Sequence, residues 1–168
     1  MQGIPGLGKT TLAKSVCEHI GNRCETLEQD SFKGSNSGKQ CLNYLETLLT
    51  NDKLEIIILS RNNANNKQYY NYAKIATELG WKTLVLTPYE FIVDSLEKKK
   101  LEDICRKTII ERSGHPNFDN LPINKRKSIL TMFINQFKVA LPSDVVHFVE
   151  TIKWLDNEGN RRSIEMVR

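Results

Sequence analysis

Two rhythms of apolar and polar positions alternate along the chain. One is helical. Lys9 to Ile20 predicts a helix that Gly21 stops, and Ser37 to about Thr50 carries Leu42, Leu45, Leu48 and Leu49 at helical spacing. Lys67 to Leu79 predicts another, with Gly80 as its C-terminal stop. Tyr89 to Arg112 reads as mostly helical with a break near Lys98, and Asn124 to Val139 as a further helix. The other rhythm is short and continuous. Cys24 to Leu27 suits a short strand. Leu54-Glu55-Ile56-Ile57-Ile58-Leu59 and Thr83-Leu84-Val85-Leu86, the latter ended by Pro88, suit strands buried on both faces, as in parallel sheets. Val145 to Ile152 fits a strand or a helix. Polar loops are expected at Ser60 to Asn66 and Ser113 to Pro122, and a frayed tail from Asn157 to Arg168. Strands alternating with helices of this length predict an α/β fold with a parallel sheet.

Composition narrows the picture. A length of 168 residues suits one domain. With 39% hydrophobic and 26% charged residues the chain has the balance of a folded globular protein, which excludes disorder. No apolar run nears the roughly 20 residues of a membrane span, and the N-terminus lacks the layout of a signal peptide. The expectation is an intracellular protein of nucleus or cytoplasm, with no membrane partner. A net charge of +4 permits a nucleic-acid partner without arguing for one. The four cysteines form no C-x-x-C pair and His19, His115 and His147 are scattered. That predicts neither a zinc site nor a disulfide, and reduced cysteines.

The strongest chemical signal opens the chain. Gly3-Ile4-Pro5-Gly6-Leu7-Gly8-Lys9-Thr10-Thr11 matches G-x-x-x-x-G-K-[ST] at every fixed position. Gly3, Gly6 and Gly8 let backbone N–H groups close around an anion, Lys9 reaches the β- and γ-phosphates, and Thr10 sets its hydroxyl on Mg²⁺. Thr11 continues into a helix whose N-terminal dipole favours phosphate. Such a loop normally follows a buried strand, yet only Met1 and Gln2 precede Gly3. The expectation is therefore a P-loop NTPase-type parallel sheet flanked by helices, with the strand before the loop missing. A late start, a truncated module or a strand supplied by another segment would each account for it.

Two further elements point to phosphoryl transfer. After the strand at Cys24 comes Glu28-Gln29-Asp30-Ser31. An acidic residue at the C-terminal end of a parallel strand faces the ligand crevice, where an acceptor hydroxyl needs a base. Asp30 is that residue, or else an aspartate that caps a turn. The second strand leads into Ser60-Arg61-Asn62-Asn63. Arg61 then enters the same crevice, where a guanidinium holds phosphate in bidentate fashion, or else it is a solvated loop arginine.

In this order the segments resemble the polynucleotide 5′-kinase domain of fungal-type tRNA ligases. Gly3 to Thr11 resembles the family's G-x-P-G-x-G-K-T-T loop, and Leu27 to Ser31 its Ile-Gln-Asn-Asp-Asp segment. Ser60 to Ala64 resembles Asp-Arg-Asn-Asn-His, Thr87-Pro88-Tyr89 resembles Ala-Pro-Tyr, and Glu111 to His115 resembles Lys-Arg-Gly-Asn-Asn-His. The likeness covers roughly Gly3 to Val139. Ser60 and Ala64 stand where the family has Asp and His, and Thr108 where it has an earlier lid arginine, for which Arg106 is the nearest substitute. The resemblance implies transfer of the γ-phosphate of GTP or ATP, with Mg²⁺, to 5′-OH RNA ends such as tRNA halves. It implies Lys9 and Thr10 on the phosphates and metal, Asp30 as general base and Arg61 on the 3′-phosphate side of the acceptor. It also implies Arg112 in a lid over the donor phosphates and His115 in the guanine-contacting loop. Residues 1–168 would form one kinase domain, whole or as an N-terminally truncated module of a larger tRNA ligase. The ligase and phosphodiesterase modules would then lie elsewhere, since Lys-x-Asp-Gly and His-x-Thr motifs are absent.

Two other readings stay open: a small-molecule phosphotransferase with the same loop, and a non-catalytic nucleotide- or RNA-binding remnant. Lesser signals are weighed alongside. Asn124-Lys125-Arg126-Lys127 is an RNA-backbone contact or the solvated start of a helix. Tyr69, Tyr70 and Tyr72 are stacking platforms, or else Tyr69 and Tyr72, with Ile75 and Ala76, are a core face. Trp81 and Trp154 are expected to be packing residues.

Overall fold

The computed structural model describes residues 1–93, 95–111, 118 and 120–162. Its elements run α1 (Lys9–Ile20), β1 (Cys24–Glu28), α2 (Ser37–Leu49), β2 (Ile56–Ser60), α3 (Asn66–Glu78), β3 (Leu84–Pro88), α4 (Glu90–Val93), α5 (Ser95–Glu111), α6 (Ile123–Gln136) and β4 (Phe148–Ile152). A 3₁₀ turn, Gln29–Ser31, follows β1. The strands pair in parallel, β1 with β2 and β3 with β4. The α/β expectation therefore holds, and Val145 to Ile152 resolves as the strand Phe148–Ile152. The helix expected to break near Lys98 instead runs through it, within α5. Asp94, between α4 and α5, lies outside the described residues, as do Arg112 and His115.

Three apolar clusters fill the interior. Leu27, Cys41, Leu45, Leu48, Tyr72 and Ala76 join α2 and α3 to the β1–β2 pair. Tyr69, Ala73, Val85, Val145 and Val146 join the other face of α3 to β3. Tyr69 and Tyr72 are thus core residues. Beneath the glycine-rich loop, Ile4, Leu7 and Leu12 meet Leu101, Cys105 and Leu130 of α5 and α6. Trp154 is buried in that same cluster. Trp81 donates its ring N–H to the Leu49 carbonyl at 3.0 Å.

The two strand pairs do not join. A mostly apolar slot of about 570 Å³ separates β2 from β3, lined by Ile57, Leu59, Leu84 and Leu86 and floored by Leu12 and Val16 of α1. Met1 and Gln2 bridge its mouth. The Met1 amine donates to the Leu59 carbonyl at 2.9 Å, and the Gln2 backbone N–H to the Leu86 carbonyl at 2.8 Å. Strands expected to be buried on both faces are consequently open at their far ends, with Ile56 39% and Leu84 50% exposed.

Two expectations are corrected. Cys17 and Cys24 form a disulfide, because the turn from α1 into β1 folds back and brings their Cα atoms to 5.0 Å. Reading only for C-x-x-C spacing overlooked this helix–turn–strand approach. Cys41 and Cys105 are free and buried. Burial pushes the Cys105 thiol up to about 12, so it is no nucleophile at neutral pH. Of the tail expected to fray from Asn157, residues 157–162 are described and are ordered. The chain turns back as a hairpin in which Leu155 bridges Arg161 antiparallel, and the Arg162 N–H donates to the Trp154 carbonyl at 2.9 Å. Asp156 holds its tip by accepting the N–H groups of Asn160 (2.8 Å) and Glu158 (3.0 Å). The Asn160 N–H above all keeps that carboxyl below its ordinary range.

Two predictions follow from this packing. Burial, aided by Lys9, lowers the Met1 amine from 8.0 to about 5. The unfolded chain binds that proton up to pH 8 and the folded chain only below about 5, so stability rises with pH across this window. A short extension of alternating Val and Ile before Met1 replaces the amine by an amide and enters the slot. Differential scanning calorimetry should show a higher Tm and a weaker pH dependence between 5 and 8; an unchanged Tm would mean that the slot does not take a strand. Replacing both Cys17 and Cys24 by Ser should cost about 2 kcal/mol in urea unfolding, the chain-entropy value for so short a loop.

Candidate active site

The glycine-rich loop, the turn after β1, the end of β2, α5 and the hairpin enclose a cleft of about 690 Å³. The loop owes its shape to two left-handed glycines. Gly6, at φ 81, lies so close to α5 that an added Cβ would stand 2.7 Å from the Cys105 carbonyl oxygen. Gly8, at φ 91, precedes α1, and a Cβ there would collide with the Arg161 guanidinium. At Gly6 the backbone of α5 excludes a side chain, and at both positions the left-handed conformation is strained for any other residue.

Lys9 and Thr10 leave the loop on the first turn of α1. Lys9 is buried, and its Nζ donates to the Ile4 carbonyl and to Asn62 Oδ1, both at 2.8 Å. The ammonium is thereby folded back over the loop. Thr10 Oγ1 lies 3.1 Å from Ser60 Oγ, in hydrogen-bonding contact. Ser60 is the last residue of β2, buried, so the β2 end meets the loop through these two hydroxyls. Both are hard oxygen donors, the ligand type of Mg²⁺, and Asp30 lines the same cleft. The set present therefore fits a magnesium ion completed by water and phosphate oxygens. Among the described residues no three His, Cys, Asp or Glu side chains cluster in the manner of an all-protein metal site.

Asp30 sits in the 3₁₀ turn directly after β1, exposed to the cleft. Arg61 follows β2. Its guanidinium carbon stands 5.0 Å from the Tyr72 ring centroid, a cation–π contact. Its Nε is buried and makes no hydrogen bond. Burial raises the Tyr72 phenol, with Arg61 opposing the shift, so the ring stays neutral beneath the guanidinium. Gly6, Gly8, Lys9, Thr10, Thr11, Asp30 and Arg61 thus come together around one cavity, while Gly3 lies just behind it in the loop. Arg112 and His115 lie outside the described residues.

Other positions part from expectation. Ala64 is fully buried, its N–H donating to Gln68 Oε1 and its carbonyl accepting from the Lys138 N–H, so position 64 turns away from the cleft. Thr108 lines the cleft, and Arg106 does not. Arg126 donates to the Leu121 and Ile109 carbonyls and so ties the start of α6 to the end of α5. Lys125 and Lys127 are exposed. Asn62, which holds Lys9, and Arg161 are cleft residues to which the sequence assigns no role. Arg161 had no local signal, standing in a tail read as frayed.

The hairpin is held by Glu90 of α4. This carboxylate is wholly buried, and Oε1 accepts the N–H groups of Trp154 at 2.6 Å and Leu155 at 2.7 Å. Arg161, on the returning arm, donates from Nη2 to the Leu7 carbonyl at 2.7 Å.

This loop, on a parallel α/β framework with acidic and basic residues facing it across one cleft, defines a P-loop phosphotransferase. The model of the tRNA ligase kinase domain matches residues 3–145, and the chain belongs to that family. Its fold is similar to that of a fungal RNA kinase, with a TM-score of 0.67 at 17% identity over 92% of this chain and 38% of the other. The chain thus spans well under half of that kinase's length. It is also similar to Kti12 of Chaetomium thermophilum, a structure in complex with ADP-AlF3. There the TM-score is 0.63 at 15% identity, covering 99% of this chain and 94% of Kti12. No curated protein matches the chain by sequence. Among the described residues no helix is long and apolar enough to cross a membrane.

Replacing Glu90 by Leu should orphan two buried N–H groups and cost about 2–4 kcal/mol in urea unfolding. Glu90→Gln, which keeps an acceptor, should cost less than half as much.

Proposed function

We propose that the chain is a 5′-hydroxyl polynucleotide kinase that phosphorylates RNA ends such as tRNA halves. The observation that carries this reading is the placing of Asp30 and Arg61 across one cleft from Lys9 and Thr10, in a chain of the tRNA ligase kinase family. The triphosphate of GTP or ATP lies on the loop N–H groups, with Lys9 against the β- and γ-phosphates. The 5′-hydroxyl enters beside Asp30, whose carboxylate takes the proton. The acceptor oxygen bonds to the γ-phosphorus as the bond to the β-γ bridging oxygen breaks, and the nucleoside diphosphate leaves. Arg61, rigid on Tyr72 with a free N–H in the interior, holds the phosphate on the 3′ side of the acceptor. Arg112 in the lid and His115 at the guanine belong to the same reading. Thr10 and Ser60 would hold Mg²⁺, which would supply charge neutralisation on the donor phosphates.

In this reading residues 1–168 are one kinase module, sealing and end-healing belong to ligase and phosphodiesterase modules, and the chain works in nucleus or cytoplasm. The test is label transfer from [γ-³²P]GTP and ATP to a 5′-OH RNA oligonucleotide with Mg²⁺. Transfer is expected, with Asp30→Ala slower by about 10²–10⁴, the range for loss of a general base. Phosphorylation of a metabolite instead would favour a small-molecule kinase. Nucleotide binding without transfer would favour a binding remnant.

A further inference from the structure

Arg161 is a cleft cation that the mechanism above leaves without a role. It lies 154 positions from Leu7 in sequence, yet its guanidinium rests on the loop, with Nη2 on the Leu7 carbonyl. It lies against Gly8, where the absence of a side chain leaves it room. It lines the same cleft as Lys9 and Thr10. Its place is enforced from behind: the antiparallel bridge to Leu155 sets the returning arm, and the buried Glu90 carboxylate pins Trp154 and Leu155.

The chemistry of this position is specific. A guanidinium carries five N–H donors in a planar fork. One is used on Leu7, and Arg161 forms no ion pair among the described residues. It is exposed rather than sealed in the core. A permanent cation therefore lines the same cleft as Lys9, at a loop whose backbone N–H groups also converge on an anion. A guanidinium matches phosphate oxygens better than any other side chain does.

We infer that Arg161 is a ligand of the donor's phosphate chain, anchored on the Leu7 carbonyl with its other N–H groups turned to the phosphate oxygens. The inference rests on the reading of the Gly3–Thr11 loop as the donor site. It assigns the hairpin after β4 to the active site and makes Glu90 a positioning residue that acts through it.

Affinity for mant-GTP and mant-ATP, measured by fluorescence titration at two salt concentrations, tests this with Arg161→Gln and Arg161→Lys. Gln keeps an N–H donor for Leu7 but no charge; Lys keeps the charge. Arg161→Gln should weaken both nucleotides by about tenfold or more, the worth of one charge-assisted hydrogen bond. Its binding should also depend less steeply on salt, while Lys restores part of the affinity and the steeper slope. Where RNA phosphorylation occurs, KM for the donor should rise and KM for the RNA stay put. Unchanged affinity in Arg161→Gln overturns the inference. So does an equal loss in both variants with a lowered Tm, the mark of a loop strut, and so does a loss confined to one base. Failure to phosphorylate RNA, with the charge-dependent loss intact, sinks the RNA reading alone. A wild-type chain that binds neither nucleotide sinks both.

Discussion

The phosphate loop is held by the hydrogen bonds of one buried residue, Gln2. Its backbone N–H donates to Leu86 of β3. Its side-chain oxygen accepts from Thr87 Oγ1 at 2.8 Å and from the Ala140 N–H at 3.1 Å, and its side-chain nitrogen donates to the Lys138 carbonyl at 2.6 Å. Lys138 in turn donates to the Ala64 carbonyl, beyond the end of β2. The ends of β2 and β3, the exit from α6 and the residue before Gly3 thus meet at one polar node. A buried amide satisfied at both ends is rigid, because every displacement leaves a donor or acceptor unpaired where water cannot reach it. The loop inherits that rigidity, and with it the aim of Lys9 and Thr10.

Around that loop the charges are arranged asymmetrically. Lys9 lies in the loop, Arg161 against it on the hairpin side, and Arg61 across the cleft on its aromatic support, with Asp30 facing them. Each of the cations is held by the fold, Lys9 on Ile4 and Asn62, Arg161 on Leu7 and Arg61 over the Tyr72 ring. The supports are unlike one another: main-chain glycine geometry for the loop, a tyrosine ring for Arg61, and a buried carboxylate for the hairpin that carries Arg161. Each is a separate way in which the fold fixes a mobile, charged side chain.

Much of this was legible in the order of residues. The loop, the strand leading to Ser60 and the helix after Gly8 each declare themselves within a dozen residues, because their signals are local: glycines at required spacing, apolar runs, period-3.6 stripes. Asp30 and Arg61 were legible as candidates because strand ends in a parallel sheet share one crevice. What escaped depended on how segments fold back on one another. The Cys17–Cys24 pair required the turn between α1 and β1 to fold back. The exposure of Ile56 and Leu84 follows from the two strand pairs not joining, so that the starts of β2 and β3 border an open slot. Ala64 read as part of a site motif, yet its backbone is tied to Gln68 and Lys138 and its methyl is buried.

Sequence by itself determined the α/β alternation, the phosphate loop and the chemical character of the cleft, since each rests on contacts between near neighbours in the chain. Tertiary structure alone decided which distant groups complete the site. Asn62 reaches Lys9 because β2 ends beside the loop. Arg161 reaches Leu7 because a carboxylate in α4, far away in sequence, captures two N–H groups of the hairpin. No local pattern encodes such a meeting, because its energy comes from burying and satisfying polar groups that become neighbours only when the whole chain has folded.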